Sequence, residues 1–405
     1  MKIQEIRTIV TCPDKQSFVV VKIITDEGVY GVGEGTKNGR ELAVATLLDK
    51  HLAPTLIGRD PIASEDIWKF LYKGAYWRGG PIEMAAIAAI DMALWDIKGK
   101  IAGLPVYKLL GGPTRKKLLT YAHTGGRDFA ECVDTMLAAK ARGFKVIRSQ
   151  VQIPGMPGSY GAEDKNDPDY ARSQAERLPY EGAWEPEPFI RTMPKLMAHL
   201  RTHVGWDVQM FFDAHGRLTP SEAARLMHDI EDYKLIYLED PIGPEHAPSM
   251  RRVRAGGTTP IAIGEIMSSR FEVLPMIIDQ SIDYMRCSPQ HIGGITEAKK
   301  IAAIGEPHDV RTAYHGPGDI GPIGAAASAH VGMSIPNFGI QEWAHHPEIV
   351  REVMPPALTY DDGYLMLSDA PGLGADINEE LAARFPYQRK YLPATRRADG
   401  SMHGY

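Results

Sequence analysis

The sequence predicts an α/β protein, a (β/α)-barrel preceded by a small α+β domain, and three observations carry that prediction. From Leu118 onward, apolar runs of strand length alternate with helical stretches. Eight strand candidates occur there, most with a helix between them, which is the pattern of sequential parallel strands joined by crossovers. Three of the runs end in a carboxylate at constant spacing. Val208–Phe212 leads into Asp213, Leu235–Leu238 into Glu239 and Pro260–Gly264 into Glu265, with successive acids 26 positions apart. That interval is the length of one βα unit, and no finer repeat accompanies it.

In chain order, Ser17–Ile23 and Gly28–Glu34 read as strands around the turn signal Asp26-Glu27-Gly28. Helical stretches follow at about Gly39–His51, at Ala63–Tyr72 after the Asp60-Pro61 break, and at Pro81–Ala102. In the last of these Met84, Ile87, Ala88, Met92 and Trp95 recur at helical spacing. Strands grouped before helices define an α+β domain over 1–113, closed by Gly111-Gly112-Pro113. The barrel segment, 114–358, carries strands at 118–123, 144–149, 207–212, 235–238, 260–263, 282–286, 309–313 and 337–341. Helices at Pro220–Asp232 and Thr296–Ile304 exemplify its connections. Between Arg148 and Glu185 lie more than thirty residues rich in Gly, Pro, Asp and Tyr, a length that in a compact domain points to a functional loop. The tail, 359–405, begins as a hairpin around Tyr360-Asp361-Asp362-Gly363-Tyr364 and is long enough to return to the first domain.

Composition sets the class. The 405 residues are 44% hydrophobic and 24% charged with a net charge of −6, and no block of like charge marks a nucleic-acid or membrane-surface partner. Cys12, Cys132 and Cys287 are odd in number and lack CxxC spacing, as expected of a reducing, cytoplasmic setting. No signal peptide is expected from the opening residues Met1-Lys2-Ile3-Gln4-Glu5-Ile6, and the most apolar helix candidate, Met84–Trp95, is interrupted by Asp91 and too short for a bilayer.

The active end of a (β/α)-barrel is the rim at the C-terminal ends of its strands. One acid there is commonly only a cap for the next helix. Three in regular array, Asp213, Glu239 and Glu265, form a set of hard oxygen donors with no Cys or His among them. Such a set suits Mg²⁺ better than Zn²⁺ and leaves coordination positions for substrate and water.

Further stretches complete a pattern: Gly74-Ala75-Tyr76-Trp77-Arg78-Gly79, Asp213-Ala214-His215, Leu238-Glu239-Asp240, Gly264-Glu265-Ile266, Ile282-Asp283-Tyr284-Met285-Arg286, His315 with Asp319, and Ile340-Gln341-Glu342. Along essentially its whole length the chain resembles the enolase superfamily and, within it, the mannonate dehydratase subgroup. The resemblance implies a modified (β/α)8-type TIM barrel, (β/α)7β, with an N-terminal α+β capping domain and a tail returning to that cap. It also implies a Mg²⁺-dependent acid-sugar dehydratase with one ion per active site. The substrate would be D-mannonate or its epimer D-gluconate, and the product 2-keto-3-deoxy-D-gluconate. The partner is then a small acid sugar, and the assembly a homotetramer or homo-octamer.

The resemblance also assigns roles. The second barrel strand ends Val146-Ile147-Arg148-Ser149-Gln150, without the Lys-x-Lys base of related groups. In its place Arg148 is paired with Tyr160 of the long loop, a guanidinium favouring the phenolate of a residue that is otherwise protonated at neutral pH. His215, two residues past Asp213 and so on the same side of an extended chain, becomes the acid that protonates the departing 3-hydroxyl. Arg286 pairs with the substrate carboxylate. Asn38, His123, His315, Asp319 and Glu342 meet the substrate's polar groups. The sequence departs from the subgroup at Pro317, Gly318, Tyr405 and Pro241–Pro248, which bears on the choice of acid sugar. Two other readings compete: a racemase or epimerase with His315 as the second acid–base group, and a metal-binding sensor that turns nothing over.

Overall fold

The computed structural model describes residues 1–404 except 157, 160–161, 164–169, 171 and 174–177, with backbone alone at 158, 159, 162 and 163. The chain forms two compact units, each built from segments distant in sequence. The first comprises Met1–Leu119, Gly264–Leu274 and Met285–Arg389; the second comprises Thr120–Ile263, Pro275–Tyr284 and Lys390–Tyr405.

The first unit opens with an antiparallel sheet, Ile3–Thr11, Phe18–Thr25 and Tyr30–Glu34 in that order. The Asp26-Glu27-Gly28 turn closes the second hairpin, with Gly28 at φ 81° and Thr25 N–H donating to Val29 O. The helix Pro81–Ala102 has the bounds expected from its apolar spacing. It packs on the third strand through an interlock of two periodicities. Gly31, Gly33 and Gly35 alternate along the strand and face Ala93, Ala89 and Ala85, which recur every fourth residue along the helix. A methyl group on Gly33 would collide with the Ala89 carbonyl, so only glycine lets the backbones approach this closely. Around this contact Val19, Val21, Ile23, Ile87, Ile90, Leu94 and Ile97 form a fully buried core.

The helix expected over Gly39–His51 runs further. It is α-helical over Glu41–Leu47, π-helical over Leu48–Leu52 and α-helical again over Ala53–Leu56. Pro54 does not stop it because it falls in the first turn of the last piece, where a missing N–H is tolerated. The stretch after Asp60-Pro61 forms a helix over Ser64–Gly74. The same unit holds the parallel strands Arg311–Tyr314 and Phe338–Gln341 and the helices Ile295–Gly305 and Pro322–Ser334.

The strand expected over 118–123 divides in two. Leu118–Leu119 pairs antiparallel with the tail hairpin Leu358–Asp361/Tyr364–Leu367, and Ala122–Gly126 joins the parallel strands of the second unit. Beyond the hairpin the chain meets the first sheet. Glu379 pairs with Lys22 (2.6 Å) and Arg7 (3.2 Å), Tyr30 OH donates to Asp376 (2.6 Å), and Cys12 N–H donates to Phe385 O (2.9 Å).

In the second unit Ala122–Gly126, Val146–Val151 and Gln209–Phe211 lie side by side in parallel. An Asp213–Glu239 bridge continues the series to Leu238–Glu239, which pairs with Ile261–Ile263. Five expected strands thus form one parallel run in sequence order. The helices Phe129–Ala141, Pro186–His203, Pro220–Asp229 and Met250–Arg254 connect or follow them. Thr219-Pro220-Ser221-Glu222 starts the third as a reciprocal capping box, with proline where its missing N–H does no harm. The last residues return to this unit: Ala394–Arg396 pairs with Glu181–Ala183, and His403 stacks on Trp184 at 4.8 Å. No helix among the described residues is long and apolar enough to cross a membrane.

Gly33→Ala tests the strand–helix interlock. It is expected to cost about 3 kcal/mol, as overpacking against backbone does, read as a lower urea midpoint at unchanged slope. Gly404→Ala, which meets open space, should leave the midpoint where it is.

Candidate active site

In the second unit, neighbouring strands bring the predicted groups into register. His123 lies opposite Arg148, and Arg148 opposite Phe211, two residues before Asp213. From that row the guanidinium of Arg148 reaches three groups. Nη1 donates to Asp213 Oδ2 (3.2 Å) and Glu239 Oε1 (3.3 Å), and Nη2 lies 2.9 Å from His123 Nδ1. His123 is held flat against Tyr121, ring centroids 5.1 Å apart, and Tyr121 packs edge-on against Phe211. Gln150 Nε2 donates to Asp213 O (3.0 Å), which fixes the backbone carrying the acid.

The turn after Asp213 departs from the extended chain expected for Asp213-Ala214-His215. The strand ends at Phe211, and His215 takes a left-handed φ of 56°, followed by Gly216 at 70°. The cause is local hydrogen bonding. His215 N–H donates to Asp213 Oδ1 (2.7 Å), Ala214 N–H to Glu239 O (3.0 Å) and Gly216 N–H to Asp240 O (2.7 Å). His215 is therefore kept beside Asp213 by a clamped turn and not by strand alternation. A non-glycine residue in this region costs on the order of 1–3 kcal/mol, sustained only when its surroundings over-determine it.

Among the described residues Asp213, Glu239 and Asp240 form one buried group whose ligand oxygens all lie within 4.8 Å of one another. Asp240 was not among the predicted ligands. It follows Glu239 directly and precedes Pro241, and it adopts φ 37°, which turns its carboxylate toward the cluster that a regular strand would point it away from. The signal in the sequence was its place in a Glu-Asp-Pro stop, a composition equally suited to a plain turn. Three hard, buried oxygen donors this close fit a divalent cation of the Mg²⁺ kind. Arg148 supplies a positive charge between two of them.

The first unit holds the other predicted groups: Glu265, Arg286, His315 and Glu342 each lie one or two residues past a strand, whereas Asn38 and Asp319 lie four and five residues past one, in loops. Arg286 is 1% exposed and held between two acids: Nη2 pairs with Glu342 Oε2 (2.6 Å) and Glu265 Oε2 (3.2 Å). Glu342 also accepts from Gly316 N–H (3.0 Å). His315 Nε2 lies 3.6 Å from Glu265 Oε2, and its ring is 5.8 Å from that of His291. Burial, reinforced by Lys37 and His315, holds His291 well below the usual histidine range.

A buried acid braces this loop cluster. Glu34, fully enclosed at the end of the third strand, accepts from Gly321 N–H (2.8 Å), Gly324 N–H (2.9 Å) and Thr36 Oγ1 (2.9 Å). It therefore caps the helix Pro322–Ser334 from far away in sequence, where Gly321 has no side chain of its own to do so. Thr36 O in turn accepts from Gln290 Nε2 (2.8 Å). Burial pushes Glu34 up to about 7 against the pull of those donors. Tyr160 and Tyr405 lie outside the described residues.

Two family models match the chain. Residues 1–111 match the mandelate racemase / muconate lactonizing enzyme N-terminal domain, and residues 133–381 match the enolase C-terminal domain-like family. The chain is 46% identical over 405 residues to a D-mannonate dehydratase of Caulobacter vibrioides and 47% identical over 404 residues to one of a Sphingomonas species. In both cases all of each chain is covered. Among solved structures it is similar to an enolase from Pantoea ananatis with bound D-gluconate and Mg, at 41% identity and a TM-score of 0.92 over 100% of both chains.

Two measurements test this geometry. Glu239→Gln is expected to weaken Mg²⁺ binding on the order of 10- to 100-fold. Comparing Asp240→Asn with Glu265→Gln by isothermal titration then identifies the third ligand, as the one whose loss matches that of Glu239. For Glu34 the sign of the pH effect is fixed by its upward shift. The folded state holds a proton that the unfolded chain releases between its ordinary 4.5 and about 7, so the associated stability is full below that window and lost as pH rises through it. Glu34→Gln should flatten the fall in urea midpoint between pH 5 and 8.

Proposed function

The chain belongs to the enolase superfamily, whose fold is an α/β barrel with an N-terminal capping domain, and from that membership we propose that it is a Mg²⁺-dependent acid-sugar dehydratase. Its reaction takes D-mannonate, or the C2 epimer D-gluconate, to 2-keto-3-deoxy-D-gluconate with release of water. What carries this reading is the buried carboxylate cluster at adjacent parallel strand ends, in a chain that matches D-mannonate dehydratases along its full length. The gluconate- and Mg-bound neighbour supports the substrate class and the ion.

Asp213 and Glu239 hold the cation, with Glu265, at the same spacing along the chain, as the third ligand and Asp240 as the alternative. When bound, Mg²⁺ supplies Lewis-acid stabilisation for the negative charge that develops on the carboxylate end of the substrate. The protein's own groups do the rest. Tyr160 removes the proton from C2, its phenolate favoured by Arg148. Arg148 already lies against Asp213 and Glu239, so base and metal ligands share one guanidinium. His215 gives a proton to the 3-hydroxyl, which leaves as water, and the resulting enol becomes the 2-keto acid. Arg286 sits between Glu265 and Glu342 and orients the substrate carboxylate, while Asn38, His123, His315 and Asp319 meet its hydroxyls. The reading includes a (β/α)7β barrel, a cytoplasmic location and a homotetrameric or homo-octameric assembly.

The decisive experiment is a panel of hexonates and pentonates incubated with Mg²⁺ and assayed for 2-keto-3-deoxy acids. Turnover of D-mannonate or D-gluconate is expected. Deuterium entering recovered substrate in D₂O without a 3-deoxy product would replace dehydration by epimerisation, and no turnover with metal bound would leave a sensor. Tyr160→Phe should lower turnover roughly 10²- to 10⁴-fold, the range for a lost general base, with Mg²⁺ affinity close to wild type.

A further inference from the structure

We propose that Trp184 is a positioning residue for His215, acting through ring contacts at both ends of the turn on which that histidine sits. The inference rests on the dehydratase reading above, in which His215 gives its proton to the departing hydroxyl, and extends it to a side chain outside the acid cluster.

Trp184 follows the short strand Glu181–Ala183 and precedes the helix Pro186–His203. Its backbone is pinned to the far end of the chain. Trp184 N–H donates to Arg396 O (2.8 Å), and Glu181–Ala183 runs parallel to Ala394–Arg396. It is the largest fully buried side chain among the described residues. Three neighbours meet its ring. Phe189, near the start of the helix, is tilted against it at 5.6 Å and in turn meets Phe212 edge-on at 6.1 Å. The guanidinium of Arg217 lies over the indole, 5.6 Å from the ring centroid and within the range of a cation–π contact. His403 stacks on it at 4.8 Å, with 12° between the ring planes.

Phe212 and Arg217 are the two ends of the turn that carries His215. Phe212 directly precedes Asp213, and Arg217 N–H donates back to Ala214 O (3.2 Å). Between them His215 sits at a φ of 56°, a conformation kept only where its surroundings over-determine it. Hydrogen bonds from His215, Ala214 and Gly216 hold the middle of the turn. Trp184 adds to both ends, directly at Arg217 and through Phe189 at Phe212. Truncating so large a buried ring leaves a cavity into which its neighbours relax, and here those neighbours bracket a strained turn. The metal ligand in the turn has further support, because Asp213 is held by Arg148 at its carboxylate and by Gln150 at its carbonyl. The residue that loses its place is therefore His215. A proton donor must lie within hydrogen-bond reach of the atom it serves, and a displacement of about 1 Å costs on the order of 100-fold in rate.

A double-mutant cycle in the full-length, Mg²⁺-loaded protein tests this on whichever hexonate the wild type dehydrates. Trp184→Leu is expected to lower kcat on the order of 100-fold, with KM and Mg²⁺ affinity close to wild type. Trp184→Phe, which keeps a ring for Arg217 and His403, should recover most of the loss. In a His215→Asn background, chosen because asparagine tolerates the left-handed φ, Trp184→Leu should cause no further loss. An equal fold-loss in both backgrounds, or a loss confined to KM, overturns the proposal. Amide hydrogen exchange gives a second readout that needs no substrate. Exchange at Ala214, His215 and Gly216 should quicken in Trp184→Leu and return in Trp184→Phe, while that of the strand Val146–Val151 stays as in wild type. Unchanged exchange at the turn overturns the proposal whatever the activity. Thermal unfolding checks that each variant is folded, and His403→Leu, which removes one partner of the indole near the chain end, should show the same changes in smaller measure. If the wild type turns over no acid sugar, the dehydratase reading falls, and the exchange result still decides whether Trp184 holds the turn of His215.

Discussion

Buried carboxylates held close together must be offset by a fixed cation, and each unit of this protein meets that constraint with one arginine. Two unit charges about 4 Å apart repel by roughly 4 kcal/mol at an effective dielectric near 20, and the oxygens of Asp213, Glu239 and Asp240 all lie within 4.8 Å. Arg148 sits against two of these acids and against His123, so one side chain ties together the ends of four adjacent strands. In the first unit Arg286 does the same for Glu265 and Glu342. Removing either guanidinium would leave buried acids uncompensated, which is far more damaging than the loss of an exposed ion pair. The arrangement also couples the proposed functions: the arginine proposed to activate the base is the one that pairs with Asp213 and Glu239, the proposed metal ligands.

Around those ion pairs the backbone is positioned by unusual local conformations held in place from outside. The left-handed His215 depends on the Asp213 carboxylate and on carbonyls of the neighbouring strand end. Asp240, also at positive φ, turns its acid into the cluster beside Glu239. The loop between His315 and Gly321 is anchored by Glu34, which replaces the cap that the helix Pro322–Ser334 cannot make for itself. Such strain and such long-range caps are expected where side chains must be aimed more precisely than regular strands allow.

Much of this was legible in the residue order because strands and helices leave periodic traces. The apolar runs each overlap a strand among the described residues, although the run at 235–238 shares only Leu238 with one, and the 26-residue interval singled out Asp213, Glu239 and Glu265 as strand-end acids. What escaped was whatever depends on non-repetitive φ values or on partners distant in sequence. His215 was expected on an extended chain and lies in a left-handed turn. The strand at 118–123 was read as one element, although its two halves pair with different partners. Asp240 was not singled out as a ligand, because a φ of 37° leaves no trace in the residue order.

The sequence by itself determined the class of fold, the type of donor atoms and their spacing, because hydrophobic period and residue chemistry are local properties. Only the tertiary structure decided which acids meet, since that depends on strand register: Arg148 opposite Phe211 brings its guanidinium to Asp213, and the Asp213–Glu239 bridge brings in the next strand. Burial was likewise invisible in the residue order. Glu34 is enclosed by the segment from Gly321 to Gly324, and it is this packing of a distant segment that pushes its carboxyl above the usual range.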